Sequence, residues 1–101
     1  MYDDNGIEMP ASEAMARVML EWNGIVYKEV NTSIKRAAYN RNTSCIVTLD
    51  ENTPYDIVYG VIENLKQNGY TAYECTVAKN IMHSKYIKID WSGVDYADCI
   101  D

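Results

Sequence analysis

The sequence predicts an α+β domain with the order α-β-α-β-β, a long N-terminal helix plus a three-stranded sheet covered by a second helix. Three observations carry this reading. Apolar residues recur at helical spacing from Ala11 to Ala37. Ser44 to Leu49 is a short, β-branched apolar run, and Tyr86 to Trp91 alternates between apolar and polar residues.

Residues 1–9 read as an acidic tail, and Pro10 sits at a helix start before Ala11-Ser12-Glu13-Ala14. The stripe Ala11, Met15, Val18, Trp22, Val26, Val30, Ile34 and Ala37 advances in steps of three and four. Met19 and Ile25 widen it. One helix over 11–41, within the segment 10–42, satisfies the pattern. Gly24 is its weak point, costing ~1 kcal/mol relative to Ala. A break there into two helices is the alternative.

Asn40 to Thr43 forms a polar turn, and Ser44–Leu49 follows as the first strand. Asp50-Glu51-Asn52 is the next turn. Thr53 then has the chemistry of an N-cap, Pro54 suits the first helical position, and Gly69 suits a left-handed stop, giving a helix over 54–68. Its face is Ile57, Val58, Val61, Ile62 and Leu65. Tyr70 to Ala78 is the second strand, with Tyr73, Cys75 and Val77 on one face and Cys75 toward the core. Lys79 to Lys85 reads as a turn. In the last strand Ile87, Ile89 and Trp91 point one way and Tyr86, Lys88 and Asp90 the other, the pattern of a sheet with one face on helices. That clean apolar face places this strand in the middle. If the first two strands run parallel, their crossover is expected to be right-handed. Residues 44–91 thus form the α/β unit, and 92–101 an acidic tail.

At 101 residues the chain is expected to be a single domain with one modest core. Its 48% hydrophobic and 24% charged residues are ordinary globular usage. No apolar run approaches the ~20 residues of a membrane span, and no basic-then-apolar leader opens the sequence. The net charge of −6 concentrates at the ends: residues 1–9 carry −3 and residues 90–101 carry −4. Nonspecific nucleic-acid binding needs clustered Lys and Arg, so this balance argues against it.

The sequence shows no catalytic constellation. His83 is the one histidine, placed in the turn, and no acid is positioned to orient it against Cys75. Cys45, Cys75 and Cys99 are spaced unlike zinc ligands and read as reduced thiols from a cytoplasm. Asp90, Asp95, Asp98 and Asp101 lack the spacing of a calcium loop, and the five glycines are isolated, so no phosphate-binding loop exists. The expectation is a protein without catalytic residues, metal or cofactor. Lys28, Lys35, Arg36 and Arg41 complement the C-terminal end of the first helix. Nine tyrosines and two tryptophans without a phenylalanine suit protein interfaces.

Helix length turns this composition into a functional expectation. A helix over 11–41 would extend ~46 Å, whereas a 48-residue unit has a diameter of only ~20–25 Å. Half the helix would overhang, still carrying Met15, Val18, Met19 and Trp22. Exposed apolar stripes of this size mark association. Met15, Val18, Met19, Trp22, Val26 and Val30 are therefore the expected contact stripe, with a protein partner and a homo-oligomer as the result.

The chain also resembles a widespread group of small tailed-bacteriophage proteins, accessory or virion structural. The shared motifs are Ala11-Ser12-Glu13-Ala14, Ile34-Lys35-Arg36-Ala37-Ala38, Ser44-Cys45-Ile46-Val47, Val61-Ile62-Glu63-Asn64-Leu65, Asn68-Gly69-Tyr70 and Ile87-Lys88-Ile89-Asp90-Trp91-Ser92. They specify an architecture more than a function. The resemblance implies a phage assembly component, in the virion or the host cytoplasm, that self-associates or docks on a capsid, neck or tail protein. Relatives often place Gly before the first strand, where this chain has Arg41-Asn42-Thr43. The acidic end from Val94 lies outside the shared pattern. A phage regulator or anti-defence inhibitor, binding a host protein through an acidic, Tyr-rich surface, is the alternative.

Overall fold

The elements are α1 (Ala11–Tyr39), β1 (Ser44–Leu49), α2 (Tyr55–Gln67), β2 (Thr71–Lys79) and β3 (Met82–Asp90), in the expected order α-β-α-β-β. This computed structural model describes residues 6–79 and 82–94, with side chains over 6–75 and 85–94. Residues 80–81 of the expected turn, the side chain of His83, Cys99, most of the expected acidic tail at 92–101 and the first five residues of the expected N-terminal tail lie outside the described residues.

β3 is the central strand, paired antiparallel with both neighbours in the order β1-β3-β2. β1 and β2 consequently run parallel on its two sides. The expected central position of the last strand is therefore observed. Both Ile87 and Ile89 are fully buried, and the register sets Val47 and Cys45 beside them on β1. The helices cover this face: Val26 and Val30 of α1, and Ile57, Val58, Val61, Ile62 and Leu65 of α2, join it in one core. Tyr70 and Trp91 close one end of the core in an edge-to-face pair, 5.8 Å between ring centres.

Two expectations about the strands are corrected. β3 begins at Met82, so the stretch read as a turn from Lys79 to Lys85 is mostly ladder, and His83 pairs with Ala78 across the hairpin. Met82-His83-Ser84-Lys85 carries no alternation to announce a strand; its partner strand supplies the hydrogen bonds that hold it extended. The face of β2 is also the reverse of the expected one. Ala72 pairs with Ile89 and faces the core, buried, while Tyr73 pairs with Lys88 and Cys75 with Tyr86 on the opposite side. Cys75 therefore does not face the core.

The helix ends share a single device. In α2, Gly69 takes φ +94°, its N–H donates to Lys66 O, and Tyr70 N–H donates to Leu65 O. In α1 the same pair of bonds runs from Arg41 N–H to Ala38 O and from Asn42 N–H to Ala37 O. Both are Schellman closures. Arg41 adopts the left-handed conformation, φ 66°, that glycine adopts without steric cost. At the starts, Pro10 and Pro54 both occupy the N-cap with extended backbone and no side-chain cap bond. Thr53 is not the cap. Its hydroxyl donates to Asp50 O at 2.6 Å and ties the turn instead, almost wholly buried.

α1 runs unbroken through Gly24. Its 29 residues give a length of ~43 Å. The radius of gyration is 17.9 Å, against roughly 13 Å for a compact chain of this length. Part of the excess is the helix itself, whose first buried residue is Val26.

Candidate functional site

Residues 11–25 of α1 form an arm of ~22 Å ahead of the first buried residue, Val26. None of these fifteen residues is buried. Met15 is 61% exposed, Val18 47%, Leu20 60% and Ile25 55%. Met19 and Trp22 are half-buried at the root, packed against the core cluster. At about 100° per residue, the apolar positions Ile25, Val18, Trp22, Met15 and Met19 span an arc of roughly 120°, and Leu20 stands about 100° away from it, beyond Ser12, Asn23 and Ala16. Glu13, Arg17 and Glu21 occupy the rest of the circumference, with Arg17 and Glu21 4.0 Å apart in an exposed pair. Such a pair contributes little to stability.

This placement divides the expected contact stripe. Met15 and Val18 are free surface, and Met19 and Trp22 lie at the boundary. Val26 and Val30, at 2% exposure each, belong to the chain's own core and are unavailable to a partner. The correction has a simple cause. One helical period serves both halves of α1, so the sequence does not mark where the intramolecular contact ends. Leu20 was the missed member, hidden by its distance of about 100° from the rest of the stripe, while Ile25, which widens the stripe in the sequence, is exposed.

The sheet supplies a second exposed apolar surface. On the face away from the helices, Ile46, Tyr73, Cys75, Tyr86 and Lys88 line a shallow cavity of about 410 Å³. Ile46 is 58% exposed and Tyr73 51%. Lys88 is the one charged residue of this lining. Cys45, on the core side, has its thiol pKa raised by burial, with Lys88 opposing this more weakly.

A cleft between α1 and α2 is lined by Tyr27, Asn31, Lys35, Asn64, Asn68 and Tyr70 among others, but by no carboxylate, histidine or thiol. Among the described residues no three His, Cys, Asp or Glu side chains gather as a metal site, and no helix is long and apolar enough to cross a membrane. Lys28, Lys35, Arg36 and Arg41 are all exposed. So are Tyr39, Tyr55, Tyr59 and Tyr73, with Tyr55 and Tyr59 stacked one turn apart on α2. Asp90 accepts hydrogen bonds from the Ser92 hydroxyl and backbone N–H, which hold its carboxyl below the usual range. Among the described residues, the arm and the open sheet face each present exposed apolar side chains. Compared with family models, curated proteins and solved structures, the chain finds no match.

Proposed function

We propose that this chain is a non-enzymatic assembly protein that self-associates through the arm of α1. The observation supporting it is the set of exposed apolar side chains Met15, Val18, Leu20 and Ile25 on a helix whose first buried residue is Val26. Apolar side chains on an unsupported helix cost solubility and leave the helix short of tertiary stabilisation, which a partner surface supplies. The resemblance to small tailed-phage proteins sets this association in virion assembly. Copies counted by mass spectrometry in purified particles of the source phage would then stand in fixed ratio to the major capsid protein.

The arm is tested directly with Met15→Asp combined with Val18→Asp. Both side chains are exposed, so the core is untouched. Light scattering after size exclusion should find the wild-type protein above the monomer mass and the double variant at it, with the core of the variant still folding cooperatively in a thermal melt. Equal masses for the two proteins would contradict the reading.

A further inference from the structure

We infer that the arm of one copy docks on the open sheet face of a second copy, so that each chain donates one arm and accepts another. This rests on the proposal above that the arm is an association surface. It goes further by naming what the arm meets.

Both surfaces are present in every chain, yet one chain cannot join its own. α1 is anchored at Val26 and Val30 on the same side of the sheet as α2, against Ile87 and Ile89. Ile46 and Tyr73 lie on the other side, since each pairs with Lys88 in a register one residue out of step with the buried isoleucines. A continuous helix fixed to one face cannot bring its own N-terminal end round to the other. A second copy has no such restriction.

Dimensions agree. Three strands spaced ~4.8 Å apart give a face about one helix wide. β1, with six residues, is ~20 Å long and β2 and β3, with nine each, ~30 Å, against ~22 Å for the arm. Charges agree as well. The arm holds two carboxylates, Glu13 and Glu21, to one cation, Arg17; the groove lining holds one cation, Lys88, with Asp90 next on the same strand face, beyond that lining. Helical spacing puts Glu21 beside Ile25 and Glu13 beside Leu20, where a long lysine side chain lining the groove can reach one of them. Pairing arm with arm would leave Ile46 and Tyr73 uncovered, whereas docking arm on sheet covers both surfaces in one contact.

The contact is heterologous. Repeated copy by copy it closes as a ring or continues as a filament. It also has a signature that an arm-to-arm contact lacks. The sheet variant Ile46→Lys with Tyr73→Lys retains its arm; the arm variant Met15→Asp with Val18→Asp retains its sheet face. Native mass spectrometry should find the wild-type chain assembled and each variant alone monomeric. An equal mixture should give a complex of one copy of each and nothing larger. Circular dichroism and thermal melting of each variant establish that it is folded before mixing. A sheet variant that assembles like wild type overturns the inference while leaving the arm reading intact. Variants that are both monomeric but do not pair on mixing overturn it too. A wild-type chain that is monomeric at hundreds of micromolar, or an arm variant that assembles unchanged, overturns both.

Discussion

Arg41 and Gly69 hold equivalent positions at the ends of α1 and α2, with φ of 66° and 94°. A side chain in that region costs roughly 1–2 kcal/mol, which glycine avoids at some expense in unfolded-state entropy. Arg41→Gly is therefore expected to stabilise the fold by about 0.5–1 kcal/mol in urea denaturation. Gly69→Ala should destabilise it by about 1 kcal/mol, although a Cβ there meets no atom within 4 Å. Opposite signs at two matched sites would establish that backbone conformation, and not contact, decides. Cys45 gives a pH test at the same scale. Burial raises its thiol pKa, so its contribution to stability is complete below the ordinary thiol value and is lost as pH rises from there through the raised value. Iodoacetamide at pH 8 should label Cys45 several-fold more slowly in the folded chain than in urea, with the gap narrowing as pH rises. Equal rates at pH 8 would count against a desolvated thiol. Gly69 was readable in the sequence because glycine advertises its conformation. Arg41 was not, because arginine seldom adopts it and only the two closing hydrogen bonds reveal that it does. Thr53 misled for the complementary reason: its hydroxyl has two local acceptor and donor options, and the Asp50 carbonyl wins.

Among the elements, α1 tests whether propensity or packing sets continuity. Gly24 is exposed, nothing lies within 4 Å of a Cβ built on it, and the helix passes through it. Gly24→Ala should thus stabilise by about 0.5–1 kcal/mol, read as a rise in melting temperature. No gain, or a loss, would mean that the glycine serves a bend. Element order and the central strand were legible because Ile87, Ile89 and Trp91 alternate cleanly and Ser44–Leu49 is compact and β-branched. β2 was not legible in its facing. Its solvent side presents Tyr73 and Cys75 while its core side presents Ala72 and Glu74, so hydrophobicity points the wrong way. Register with β3 decides instead: Ala72 must follow Ile89 inward, and its small side chain is buried there. The same reversal leaves Tyr73 on the open face.

For the whole molecule, the central feature is the mismatch between a helix of ~43 Å and a core that buries residues only in its second half. The overhang itself was legible from length alone, whereas its boundary at Val26 required the packing. A helical arm of fifteen residues tied to the core only through Met19 and Trp22 is marginal in water, so the amides of its outer turns should be protected only when a partner covers them. Hydrogen exchange resolved along α1, at low and high protein concentration, is the most direct measurement. The expected result is strong protection of residues 26–37 at both concentrations, and protection of 11–21 that appears only at the higher one. Protection of 11–21 that does not change with concentration, in either direction, would contradict assembly of this chain with itself through the arm.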